Sequence, residues 1–313
     1  MKAVTRILCA IDGTEPSFGA FRHALAAAKS RNAALHVVCA VPATRSFNWR
    51  ARERTAHLAE LLRIAVVAGV EVQVSVQHGE PAGVILLHAN SSNLRVPDLI
   101  VLGTHGRRGV DRIRFGSIAE RVMHRAPCPI LVIPNSAVEA TEAADDLVSP
   151  FERVLCAIDF SPASIAAFEH AAGMVRRGAS ALRLLHVVAA TTPSISRFAW
   201  EFASADYPQA LAKSASSRLR SLLGTHPDVY RTAQTQVVVG LVEEAIRRVA
   251  ANMKADVLVI GVRRASVVRR LIGSVTARVL RTIALPVLAL PEVKTVGRAT
   301  EHEGVPELLR LAA

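Results

Sequence analysis

Solid apolar runs recur along this chain, separated by longer amphipathic stretches. In the first 134 residues, runs near 4–12, 34–41, 71–78, 98–103 and 129–133 predict strands. Stretches near 15–31, 50–68, 81–93 and 116–126 predict helices. Runs such as Asp98-Leu-Ile-Val-Leu show no polar alternation. Strands buried on both faces have this look, and they belong to parallel sheets covered by helices. Five such strands with four intervening helices predict an α/β fold, a doubly wound parallel sheet with helices on both faces and right-handed crossovers. Thr14 and Ser161 fall at helix N-cap positions, with Glu15 and Pro162 at the first helical residue.

The pattern is written twice. Arg6-Ile-Leu-Cys-Ala-Ile-Asp12 returns as Arg153-Val-Leu-Cys-Ala-Ile-Asp159, an offset of 147, which also maps Phe21 onto Phe168 and His23 onto His170. Leu35-His-Val-Val38 returns as Leu185-His-Val-Val188, so that His36 and His186 read as repeat equivalents. Asp98-Leu-Ile-Val-Leu-Gly103 returns as Asp256-Val-Leu-Val-Ile-Gly261, and Cys128-Pro-Ile-Leu-Val-Ile-Pro134 as Leu285-Pro-Val-Leu-Ala-Leu-Pro291. A repeat of this length is a duplicated domain and not a solenoid unit. The reading is a first domain over 1–134, a linker over 135–150, a second domain over 151–291 and a tail over 292–313. The linker carries Glu139, Glu142, Asp145 and Asp146 and no base.

Composition narrows the class. Of the 313 residues, 51% are hydrophobic and 20% charged, enough to bury a core and too apolar for a disordered chain. Aromatics are only 4%, which suits helix-on-sheet packing by Ala, Val and Leu. Thirty-eight Lys and Arg against 26 Asp and Glu leave +12, a charge that seeks phosphate on a nucleotide, a nucleic acid or a membrane surface. Only five apolar residues, Ile7 to Ile11, precede Asp12, too few for a signal-peptide core. No run reaches the roughly 18 apolar residues of a membrane span. Cys9, Cys39, Cys128 and Cys156 form no C-x-x-C pair and read as buried, reduced thiols. A cytoplasmic protein is expected.

In open α/β sheets, ligands bind beyond the carboxyl ends of strands where the winding reverses. Two loops qualify: Asp12-Gly-Thr-Glu-Pro after the first strand, and Gly103 to Ser117 after the fourth. Glycines let a phosphate approach the backbone. Gly116-Ser117 at a helix start adds free N–H groups, a hydroxyl and roughly half a unit of positive charge. Arg107, Arg108, Arg112 and Arg114 surround that loop. Neither G-x-x-x-x-G-K-[ST] nor G-x-G-x-x-G occurs, which excludes a P-loop and a dinucleotide fingerprint. G-x-S-x-G, H-E-x-x-H and paired-carboxylate arrangements are also missing.

Gly103-x2-Gly106-x9-Gly116-Ser117 resembles the G-2x-G-9x-G-(S/T) nucleotide-binding motif of the universal stress protein family. The Ala-Ile-Asp-Gly opening and the closing Cys-Pro-Ile-Leu-Val-Ile-Pro are similar to that family's first and last strands. The resemblance covers both copies. It implies strand order 3-2-1-4-5 and ATP lying across strands one and four. It implies that Asp12 meets a ribose or base donor, or a Mg²⁺ ion bridged by phosphates, since a bare carboxylate repels a triphosphate. Val38 is implied to offer backbone contacts near the adenine, while Gly103, Gly106, Gly116 and Ser117 hold ribose and phosphates. His105, at a variable motif position, reads as a rim residue.

The second copy keeps Asp159, Val188, Gly261, Gly273 and Ser274. Arg264, however, stands where the middle glycine belongs, and eight residues instead of nine separate it from Gly273. Arginine cannot copy a glycine's backbone freedom, so a weakened or empty second site is expected. The alternative is that Arg264 itself reaches a phosphate.

His36 and His186 lie inside apolar strands and read as satisfied core histidines; His23 and His170 read as packing or capping residues of the first helices. Residues 262–281 carry six arginines and no acid, against six arginines and two acids over 104–125. Trp49 and Trp200 follow the second strands and suit core or dimer packing. The expected function is an ATP-binding regulator of stress or dormancy, acting through nucleotide-dependent conformation or assembly on an unidentified protein partner. A cyclic nucleotide in place of ATP stays open. So does a slow ATPase or nucleotidyl transferase, although no P-loop lysine is present. A basic nucleic-acid binder is a further alternative, without a helix-turn-helix or aromatic-interleaved motif to support it. The family also implies pairing through last strands. Here Pro129–Ile133 and Pro286–Leu290 would pair within the chain as a pseudo-dimer, with a homodimer as a further assembly.

Overall fold

The computed structural model describes residues 5–12, 16–41, 50–91, 96–104, 116–134, 151–175, 181–189, 207–262 and 274–292. The first copy runs β1 (Arg6–Ile11), α1 (Pro16–Arg31), β2 (Ala34–Val41), α2 (Arg50–Ala68), β3 (Val72–His78), α3 (Pro81–Asn90), β4 (Leu99–Gly103), α4 (Ser117–Arg125) and β5 (Ile130–Ile133). The second runs β6 (Arg153–Ala157), α5 (Pro162–Val175), β7 (Ala181–Ala189), α6 (Tyr207–Gly224), β8 (Ala233–Gly240), α7 (Val242–Asn252), β9 (Val257–Val262), α8 (Ser274–Thr282) and β10 (Val287–Pro291). Ser161 caps α5, its Oγ accepting the Ser164 N–H at 3.3 Å. Thr14 and Glu15 lie outside the described residues, as do Trp49, Trp200 and 135–150.

The strands form one ten-stranded sheet of order β3-β2-β1-β4-β5-β10-β9-β6-β7-β8. Each half therefore has the expected order 3-2-1-4-5. Pairing is parallel within each half and antiparallel at the seam, where Leu131 faces Leu288. The last strands of the two copies thus pair within the chain.

Unbroken apolar strands follow from this layering, because alternate side chains enter two cores. On β1, Ile7, Cys9 and Ile11 join Phe21 of α1, Leu61 of α2, Phe168 of α5 and Leu219 of α6. Leu8 joins Ile85 of α3, Met123 of α4, Val249 of α7 and Val279 of α8 on the other face. The start of each first strand is pinned by an aspartate. Asp98 accepts the N–H groups of Thr5 at 2.9 Å and Arg6 at 3.2 Å. Asp256 does the same for Glu152 and Arg153.

Sheet register corrects one equivalence. Leu8 pairs with His36, but Leu155, its counterpart at offset 147, pairs with Arg183. His186 sits three residues further along its strand. The shared letters Leu-His-Val-Val are therefore out of step with the backbone, and His36 and His186 occupy different environments.

Candidate functional site

The switch point of the first half lies between β1 and β4, whose neighbours extend in opposite directions. Ala10 pairs with Leu102, so Asp12 and Gly103 emerge together at the carboxyl edge of the sheet. Asp12 is half-buried. Gly103 closes β4 opposite Ile133, and the next residue, Thr104, donates its N–H to the Ile133 carbonyl at 2.9 Å.

Gly116 is the N-cap of α4, in extended backbone (φ −71°, ψ 142°), and no side chain caps it. Exposed Ser117 opens the helix. The first N–H groups of a helix lack intrahelical acceptors and carry the positive end of its dipole. Neighbouring α3 solves this with its own anion: Glu80 accepts from the N–H groups of Ala82 at 3.1 Å and Gly83 at 2.9 Å. In α4 no side chain caps the first N–H groups, although Glu120 stands in its first turn. Arg121 of α4 pairs with Glu80 at 3.0 Å and ties the two helix starts together. Asp12, Gly103, Gly116 and Ser117 thus share the carboxyl edge, while Gly106, His105 and the arginines from 107 to 114 lie outside the described residues.

Val38 does not stand at the end of its strand. It is fully buried and pairs with Ala10 on one side and Ser75 on the other. Its backbone is committed to the sheet, and β2 continues to Val41, whose carbonyl accepts the Gly79 N–H at 3.0 Å.

In the second half, Asp159, Ser161 and Ser164 form a hydrogen-bonded turn at the start of α5. Asp159 Oδ1 accepts the N–H of Ser161 at 2.9 Å and also its hydroxyl. Ser164 Oγ donates to the Ser161 carbonyl at 3.0 Å and accepts the Asp159 N–H at 3.3 Å. Gly261 has a packing role: a Cβ there would stand 2.3 Å from the Ala163 carbonyl carbon and 2.5 Å from Ser164 N. Val188 lies one residue before the end of β7, opposite Val239. Ser274 opens α8, and Arg264 and Gly273 lie outside the described residues. Arg278 pairs with Glu243 of α7 at 3.2 Å, repeating the Arg121–Glu80 tie.

His36, His23 and His186 are held by hydrogen bonds within the fold. Arg6 Nη2 donates to His36 Nδ1 at 3.0 Å, since a guanidinium can only donate. His36 Nε2–H therefore donates to Ser75 Oγ at 2.9 Å. Burial, and then the charges of His88 and Arg6, pull His36 down to about 4. His23 Nδ1–H donates to the Gly19 carbonyl at 2.8 Å, and its burial lowers its pKa. His186 Nδ1–H donates to the Ile158 carbonyl at 2.7 Å. Among the described residues no group of three His, Cys, Asp or Glu could hold a metal ion. All four cysteines are buried and free; burial pushes Cys128 up to about 12 and also raises Cys9 and Cys156. No described helix is long and apolar enough to cross a membrane.

These features define a tandem doubly wound α/β protein in which a helix start without a side-chain cap stands at the switch point of the first half. The Universal stress protein family model matches residues 3–134 and 150–291, and the chain belongs to that family. It is 31% identical over 146 residues to a universal stress protein of Methanocaldococcus jannaschii, covering 43% of this chain and 84% of the relative. Among solved structures, a universal stress protein from Archaeoglobus fulgidus aligns with TM-score 0.66 and 20% identity, over 93% of this chain and all of that one. A Pseudomonas aeruginosa structure aligns with TM-score 0.63 and 17% identity, over 92% and 94%. At these identities the structural likeness speaks for the fold alone.

Proposed function

We propose that this universal stress protein binds ATP at the carboxyl edge of its first half and acts as a cytoplasmic stress or dormancy regulator. The bound nucleotide sets the conformation or assembly that a protein partner reads. The observation that carries the reading is the start of α4, with Gly116 and Ser117 offering backbone N–H groups and no capping side chain, beside the ends of β1 and β4. Phosphates take those N–H groups, with Gly103 and Gly106 allowing close approach. Asp12, too near for an unscreened triphosphate, meets a ribose or base donor or a phosphate-bound Mg²⁺. The adenine lies toward the end of β2, past Val38.

In this reading the division of labour follows the sequence boundaries. Residues 1–134 carry the intact motif, 135–150 link, 151–291 carry the degenerate copy and 292–313 trail. Calorimetric titration of the full chain with ATP, with and without Mg²⁺, tests it. One ATP per chain, lost in Gly116→Val, is the expected result. Unchanged ATP binding in Gly116→Val refutes the phosphate loop, and tighter binding of cyclic AMP than of ATP replaces the ligand. Single-turnover hydrolysis abolished by Asp12→Ala would move the protein to the slow-ATPase class.

A further inference from the structure

The last strands, β5 and β10, pair with each other inside the chain, so neither offers a free edge to a second copy. A second copy needs a different face, and α2 carries one. Surface helices turn charged and polar residues away from the core. The second half does so. On α6, Leu219 and Leu223 enter the core, and the positions that follow them are Arg220, Gly224 and, one residue past the helix, Thr225, all exposed. On α2, Leu61 and Ala65 enter the same core cluster, but the positions that follow them are Leu62, Val66 and Val67. Val66 and Val67 are each 78% exposed and Leu62 is 37% exposed.

These side chains stand on a closed helix end. Gly69, at φ +69°, donates its N–H to the Val66 carbonyl at 3.0 Å, and Val70 donates to the Ala65 carbonyl at 3.1 Å, the arrangement that ends a helix on a left-handed glycine. Leu62 and Val66 stand one turn apart, and Arg63 and Val67 form the adjacent row. The face therefore has the ridges and grooves by which helices pack. Its charges nearly cancel. Arg63 pairs with Glu60 at 2.7 Å, and residues 58–71 hold two acids, Glu60 and Glu71, against that one base, in a chain that carries +12.

That balance selects the occupant. An acidic partner is drawn to the arginine-rich surfaces elsewhere on the chain. A second copy, itself +12, is repelled by those surfaces and approaches best where the positive excess is missing. A two-fold dimer also requires each patch to complement itself, which an apolar ridge beside an internally paired Glu60 and Arg63 does. We infer that α2 is the interface of a two-fold dimer of this chain, in which Leu62 and Val66 of one copy pack against Val66 and Leu62 of the other. The inference stands apart from the proposed ATP site and does not rest on it.

Gel filtration of the full chain with light scattering, at about 1–100 μM, tests the interface. The mass should rise with concentration from the 33.5 kDa of one chain toward twice that value. Val66→Lys with Val67→Lys sets like charges against each other across the two-fold axis, and lysine suits the last turn of a helix, so the chain should still fold. Its dimer dissociation constant should rise at least about ten-fold. Val66→Gln serves if the two lysines prevent folding and should weaken association in the same direction. Ser221→Lys, on the outward face of α6, should leave association unchanged. Equal weakening by Ser221→Lys would show that added charge alone opposes association, and would overturn the inference. A dimer as tight in the double variant as in the wild type would place the interface elsewhere and overturn it too. So would a wild type that stays at 33.5 kDa throughout, which would leave the face to another protein or to residues 292–313 of the same chain.

Discussion

Leu131 of β5 lies directly opposite Leu288 of β10 in the antiparallel pairing that turns two five-stranded sheets into one. Both are buried, at 3% and 5% exposure, and both enter the same apolar core. The seam is therefore part of the hydrophobic interior of the molecule.

Truncation on either side of this pair should destabilise the whole chain. Leu131→Ala and Leu288→Ala should each cost about 2–5 kcal/mol, the range for emptying a buried leucine site. Because the two face each other across one ladder, their effects should not add. A double-mutant cycle by urea denaturation should return a coupling of about 0.5–3 kcal/mol. Strict additivity would mean that the halves do not share this core.

Ligand binding to the native state stabilises it by mass action, by about 2.7 kcal/mol at a hundred times Kd. Saturating ATP should thus raise the Tm of the wild type. In Gly116→Val the rise should vanish while the Tm without ligand stays close to wild type, because Gly116 precedes the helix in extended backbone that valine adopts readily. An equal ATP-induced shift in both proteins would remove the start of α4 from the site.

Much of this architecture was legible in the sequence. Unbroken apolar runs mark strands buried twice and the repeat marks duplication, while the sheet order and the pairing of last strands are legible only through the family resemblance. Long-range polar contacts were not legible. Asp98 reads as the start of a strand, yet its carboxylate organises β1, more than ninety positions earlier in the chain. Val38 lies inside the run read over 34–41, and letters cannot show that its neighbours in the sheet are Ala10 and Ser75. His36 and His186 were matched by their shared tetrapeptide, whereas register puts Arg183 at the His36 position.

Acid should expose the His36 network. His36 is neutral in the fold, with its pKa pulled from 6.5 to about 4. The unfolded chain thus binds more protons between those values, and stability rises with pH across that window. The contribution is complete above pH 6.5 and lost as pH falls toward 4, on the order of 1–3 kcal/mol. His36→Gln should flatten the dependence of denaturation midpoint on pH between 4 and 6.5, even if it lowers the midpoint at pH 7. A slope unchanged by the substitution would assign the acid sensitivity elsewhere. His88, whose Nε2–H donates to Gln77 at 2.9 Å and whose pKa is also depressed, is the next group to test.

Gly261 separates packing from ligand binding most sharply. The motif alone makes it a nucleotide contact, and its replacement would then affect ATP binding and leave the ligand-free fold intact. The structure gives it a different task. The end of β9 passes so close to the start of α5 that a Cβ would lie 2.3 Å from the backbone of Ala163, and a backbone cannot rotate aside as a side chain can. Gly261→Ala should therefore cost about 1–3 kcal/mol, or more if α5 is forced off the sheet, as overpacking does in other cores. The measurement is urea denaturation without nucleotide. A variant as stable as the wild type, but altered in ATP stoichiometry, would return Gly261 to the nucleotide site.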